Sequence, residues 1–122
     1  MVIDTSALLA MLANEPEADA FRRALEADPV RLLSAASLVE AAAVAESRYG
    51  EAGGRELDLL ILKAGLEIVP VDRDQAELAR EALRRFGKGR HPAGLNFGDS
   101  FSYALSIASG QPLLFKGEDF AR

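Results

Sequence analysis

Met1-Val2-Ile3-Asp4-Thr5-Ser6-Ala7-Leu8-Leu9-Ala10-Met11-Leu12-Ala13 opens the chain, and the order of residue types in these thirteen positions decides the fold. Val2-Ile3 is an apolar run too short to alternate, so it reads as a buried strand. Asp4-Thr5-Ser6 ends it. Over residues 6–13, Leu8, Leu9 and Leu12 return on one helical face. The same strand-then-helix step recurs along the chain. Asn14-Glu15-Pro16-Glu17 reads as a helix start, with Asn as cap and Pro in the first turn, and that helix runs to about residue 27. Residues 31–34 form a second strand. Residues 35–49 form a helix that is nearly all apolar up to Ala45 and is expected to lie mostly inside, with Gly50 as its C-terminal cap. A helix over 54–64 ends at Gly65, Glu67-Ile68-Val69 is a third strand, and residues 72–86 form a helix with two candidate capping boxes. A looser stretch, 87–98, holds four of the ten glycines. A helix over 99–108 stops at Gly110, and 113–115 is the last strand. Short, apolar, non-alternating strands interleaved with helices specify an α/β domain of three layers with a central parallel sheet.

Length and composition agree. A chain of 122 residues fits one domain, 1–122, able to bury roughly 65% of its unfolded surface. With 49% hydrophobic and 27% charged residues it belongs to the folded globular class. It has no cysteine and one histidine, His91, so thiolate zinc sites and multi-histidine sites are excluded. Any metal must be held by oxygen, which selects Mg²⁺ or Mn²⁺. A net charge of −5 rules out a strongly basic nucleic-acid coat but leaves room for a local basic patch. No apolar run reaches membrane-spanning length, and Asp4 follows Met1–Ile3 with no basic region before it, so a secretory signal is not expected and the cytoplasm is.

In an open parallel sheet, ligands bind beyond the carboxyl ends of the strands. Asp4 follows the first strand directly, Asp99 opens a helix, and Glu118 and Asp119 follow the last strand. Glu40 lies in the helix that follows the second strand. Carboxylates gathered at one edge repel, and a divalent cation removes that conflict. Asp4 and Asp99 each read equally as a helix cap and as a ligand. Ser37-Leu38-Val39-Glu40 is formally a capping box. A helix that starts right after Ser34 already contains Ser37, however, so Glu40, the only charge between Ala35 and Ala45, is read as functional. Residues 82–98 contain no acid but hold Arg84, Arg85, Lys88, Arg90 and His91. Arg84 and Arg85 suit a helix C-terminus through the dipole. Lys88 and Arg90, set among glycines, suit a phosphodiester backbone. Gly87-Lys88-Gly89 lacks the spacing and the Ser/Thr of a phosphate-binding P-loop.

These residues also carry a resemblance. The chain resembles the PIN-domain ribonucleases, most closely the VapC toxins of bacterial VapBC toxin–antitoxin modules, through Met1–Ala7, Ser37–Glu40, Gly87–His91 with Leu95–Ala104, and Pro112–Phe120, in order. The resemblance implies Mg²⁺- or Mn²⁺-dependent cleavage of RNA, often a structured RNA such as tRNA. It implies an acidic cluster of Asp4, Glu40, Asp99 and Asp119, with Asp4 and Asp99 as direct metal ligands and Thr5 and Ser6 supporting the site. Many PIN domains place the fourth acid two positions earlier, where this chain has Gly117, so Asp119 is the substitute and Glu118 the alternative. A homodimer and a cognate VapB-like antitoxin are implied, as is a short further strand after Arg122.

Two other readings compete. An aspartate-dependent phosphatase would use Asp4 as nucleophile, but that chemistry calls for a second Asp two residues on, where Ser6 stands. A catalytically inert PIN-like binding module is the other, and an intact set of acids argues against it.

Overall fold

The computed structural model describes residues 1–89 and 91–117. Among them four strands form one sheet: β1 (Val2–Ile3), β2 (Leu32–Ser34), β3 (Glu67–Val69) and β4 (Leu113–Leu114). They lie in the order β3-β2-β1-β4, and every pairing is parallel. Val2 sits opposite both Leu32 and Leu113, so β1 is central. The chain steps outward from β1 through β2 to β3, then returns to the other side of β1. The direction of winding therefore reverses between β1 and β4, which is where open α/β sheets leave a crevice for a ligand.

Six helices among the described residues flank the sheet: α1 (Thr5–Leu12), α2 (Ala18–Ala27), α3 (Ala35–Tyr49), α4 (Glu51–Ala64), α5 (Arg73–Phe86) and α6 (Phe97–Ser109). Val2, Ile3 and Leu33 are fully buried, and the core around them is built from Ala7, Leu8, Met11, Leu25, Ala41 and Leu57. Burial on both faces holds for the central strands only. Edge strand β3 leaves Glu67 and Ile68 exposed, since no strand lies beyond it.

Four expectations change. Asn14 does not cap a helix: it takes a left-handed conformation (φ 52°), and α2 begins only at Ala18, because Pro16 occupies a turn whose backbone bonds run back to α1. Helix α3 is not mostly inside. Ser37, Ala41 and Ala45 form one buried stripe, while Val39 is 69% exposed, because small residues let the helix approach along a single line. Helix α4 starts at Glu51, since Gly50 (φ 70°) both ends α3 and begins α4. Helix α6 begins at Phe97, two residues before Asp99, because Asn96 caps it.

Candidate functional site at the carboxyl edge of the sheet

Asp4 is the residue on which the edge is built. Its N–H donates to Leu114 O at 2.9 Å, which continues the β1–β4 ladder one step past the strand. Its backbone is extended, and its Oδ2 caps α1 by accepting from the Ser6 N–H at 3.0 Å and the Ser6 hydroxyl at 2.6 Å. The side chain is 2% exposed, yet Oδ1 has no hydrogen-bond partner. Leaving a buried carboxylate oxygen unpaired is costly, because it has lost its water and gained nothing. Capping and ligation are thus compatible in one residue: one oxygen caps, the other is free to ligate.

Three helix starts gather around this point. Ser34 ends β2 and caps α3 through the Ala36 N–H. Thr5, in the first turn of α1, donates to Ser37 O at 3.3 Å, and the Ser37 hydroxyl meets the Ser102 hydroxyl of α6 at 3.1 Å. One bond to the Ser37 carbonyl and one to its hydroxyl tie α1, α3 and α6 together. Asn96 and Asp99 form a reciprocal capping box: Asn96 Oδ1 accepts from the Asp99 N–H at 2.8 Å, and Asp99 Oδ2 accepts from the Asn96 N–H at 3.1 Å. Asp99 is buried in the first turn of α6. Glu40, half-buried in α3, places its carboxylate against Gly98: a Cβ on Gly98 would fall 1.9 Å from Glu40 Oε2. Glu40 therefore packs on the first turn of α6, against the residue that precedes Asp99 in sequence. Asp4 caps α1 and Asp99 lies in the first turn of α6, where exposed N–H groups and the dipole favour negative charge, while Glu40 sits one turn further into α3.

Among the described residues, no three His, Cys, Asp or Glu side chains close around a point that would hold a metal ion by themselves. Mg²⁺ does not require that, because it keeps several waters and is held by one or two carboxylates. The buried Oδ1 of Asp4 fits such a hard cation. Asp119 and its alternative Glu118 lie outside the described residues. The segment leading to them is fixed by two contacts. Lys116 N–H donates to Ser6 Oγ at 2.9 Å, and the Lys116 ammonium pairs with Glu15, with Glu17 at 3.7 Å. The Glu15 carboxylate raises the pKa of Lys116 above the usual lysine value, with burial opposing.

The glycine-rich stretch is a closed loop rather than a loose one. Gly87 bridges to Leu95, Lys88 N–H donates to Leu95 O, and Leu95 N–H donates to Phe86 O, so backbone bonds pin its base. His91 serves the loop: its Nδ1 accepts from the Ala93 N–H at 3.0 Å, and its ring meets Phe86 edge-on. Lys88 stands exposed on the loop. Arg90 lies outside the described residues. Sequence reasoning gave no site role to Ser37, Ser102, Asn96 or Gly98, although all four fall within the stretches that carry the resemblance. Of these, only Asn96 carries a local signal, an Asn three residues before an acid at a helix start.

A PIN domain family profile matches residues 1–122. The chain is 62% identical over 120 residues to ribonuclease VapC30 of Mycobacterium tuberculosis, covering 98% of this chain and 92% of that one. It is likewise 62% identical to a ribonuclease VapC of Mycolicibacterium smegmatis, covering 98% and 93%. The fold matches the crystal structure of Mycobacterium tuberculosis VapC20, described as a sarcin-ricin loop cleaving toxin, with a TM-score of 0.77 at 22% identity over 98% of this chain and 92% of that one. That match fixes the three-layer α/β/α arrangement.

Proposed function

The chain belongs to the PIN-domain family, among the VapC ribonucleases, and from that premise we propose that it is a toxin that hydrolyses RNA phosphodiester bonds with a divalent cation held by Asp4 and Asp99. The observation that carries the cation assignment is the buried Asp4 Oδ1, which has no hydrogen-bond partner. Mg²⁺ or Mn²⁺, when bound there, would supply Lewis-acid polarisation of a phosphoryl oxygen and lower the pKa of a water so that it can give up a proton and act as the nucleophile toward phosphorus. The protein's own part is positional. The Ser6 hydroxyl and N–H lock the Asp4 carboxylate so that Oδ1 stays aimed away from the cap. Asn96 holds one oxygen of Asp99. Glu40, backed by Gly98, adds negative charge at the start of α6, and Asp119 is the fourth acid of the set. Thr5 keeps the start of α1 in register with α3. Lys88 and Arg90 offset the acidity of the edge and attract the phosphate backbone.

In this reading residues 1–122 act as one PIN-like domain and the substrate is a tRNA or another structured RNA. The partners are a second copy of the chain and a cognate VapB-like antitoxin, and the setting is the cytoplasm. Among the described residues no helix is long and apolar enough to cross a membrane. A labelled RNA incubated with the purified protein tests the reaction. Cleavage is expected in Mg²⁺, is abolished by a chelator and returns with excess Mg²⁺. Cleavage that persists in the chelator removes the cation from the mechanism.

A further inference from the structure

Helix α5 ends in Arg84-Arg85, and the structure sends the two guanidiniums to opposite sides. Arg85 lies over the Phe86 ring at 5.1 Å, above a small hollow shared with Tyr103 and Ile107. Arg84 turns the other way, into an open cleft of about 580 Å³ between the C-terminal half of α5 and the start of α6. Arg80, Lys88, Asn96 and Phe97 line the same cleft. Arg80 and Arg84 are about one turn, ~6 Å, apart along the helix axis. Each is paired to an acid one turn back, Arg80 to Glu77 at 3.1 Å and Arg84 to Glu81 at 2.7 Å. Both pairs are exposed, so they hold the guanidiniums extended while costing little to exchange for a phosphate. Lys88 has no carboxylate partner among the described residues. At the far end, Phe97 is the first residue of α6, two positions before Asp99, and is 62% exposed. Its ring is held edge-to-face by Phe101, with centroids 5.0 Å apart. Nothing in helix formation asks for an aromatic ring at that position, and its exposure leaves π-surface open beside the acid site.

We propose that this cleft is a track for a single strand of RNA, in which Arg80, Arg84 and Lys88 hold successive phosphates and Phe97 stacks on a base adjacent to the bond that is cut. The inference rests on the ribonuclease reading and extends it to how the strand is held. A row of cations leading to one exposed ring matches the combination that binds unpaired strands, since every base offers a π-face and the backbone offers regular charge. A protein partner would call for a continuous apolar face, and here Arg80, Arg84 and Lys88 break up the apolar lining with three cations.

The test is fluorescence anisotropy of a fluorescein-labelled single-stranded RNA 12-mer of mixed sequence on the full chain. It is run without divalent cation over a salt series, with melting curves for each variant. Phe97→Ala is expected to weaken binding about tenfold with the salt slope unchanged. Phe97→Tyr keeps wild-type affinity. Phe97→Leu, which still packs on Phe101 but cannot stack, behaves as Phe97→Ala. Arg80→Gln with Arg84→Gln is expected to lower the slope of log K against log salt by about 1.4, roughly 0.7 for each phosphate released on a single strand. Wild-type affinity and slope in Phe97→Leu and in the double variant overturn the track. So does a change in oligomeric state by light scattering with RNA binding intact, which makes the face a protein contact. If the wild-type protein neither binds nor cleaves RNA, the ribonuclease reading fails; if it cleaves and the substitutions leave affinity and salt slope unchanged, the track alone fails.

Discussion

Asp4 performs two tasks with two oxygens, and this explains why its role is ambiguous when read along the chain. An Asp after a strand and before a helix satisfies the sequence preference for a cap whether or not it also ligates. What separates the tasks is burial without a partner at Oδ1, a fact of three dimensions. Glu40 is more legible, because a lone charge in an apolar helix has no local reason to be there. Replacing it with Gln keeps the shape and removes the charge packed against Gly98 at the start of α6. Thermal stability is expected to hold or rise while cleavage falls, and a loss of about 1 kcal/mol of stability with cleavage intact would return Glu40 to a structural role. Gly98 was not legible at all, since its reason lies in another helix. In an open helix Gly→Ala gains roughly 0.5–1 kcal/mol. Here the added methyl meets Glu40 Oε2. Gly98→Ala is therefore expected to fold, to show none of that gain, and to lose cleavage by at least about tenfold as the Glu40 carboxylate is displaced. Melting and cleavage measured together check it.

At the scale of elements, helix α6 shows where local pattern succeeds and where it stops. Its C-terminus at Gly110 is read from the sequence because a left-handed cap demands glycine there. Its N-terminus was placed late because Asp99 draws attention as an acid, although Asn96 is the better cap and Asp99 serves as the returning member of the box. The α3–α6 joint has no local signature, since two serines 65 residues apart in sequence announce nothing until they meet. Both are buried. Ser102→Ala leaves the Ser37 hydroxyl buried without that partner and is expected to cost about 1–3 kcal/mol, whereas the double change to Ala at 37 and 102 costs less than the sum of the single changes. A double-mutant cycle from denaturant unfolding decides it, and additivity would dismiss the joint.

At the scale of the whole molecule, the alternation of strand and helix was legible because fully buried strands must be apolar throughout and parallel strands need crossovers. The strand order was not, because two-residue strands carry no register signal; only the finished sheet shows that winding reverses between β1 and β4, beside Asp4. The end of the described chain is fastened to the turn before α2 by Lys116 and Glu15. Lys116 has a raised pKa in the folded state. Its contribution is therefore fully present below the ordinary lysine value of about 10.5 and is lost as pH rises through the higher folded value. Lys116→Met is expected to flatten the fall of stability above about pH 10.5 and leave the profile near neutrality unchanged in shape, as read by denaturant melts along a pH series. The central claim, that the carboxyl edge of this sheet is a cation site built on Asp4, is tested most directly by calorimetric titration of Mn²⁺ into the wild-type protein and into Asp4→Asn. Asn caps a helix as well as Asp does, so the variant is expected to stay folded. Saturable binding is expected in the wild type, with at least a tenfold loss of affinity in Asp4→Asn. Equal affinity in the two folded proteins would contradict it.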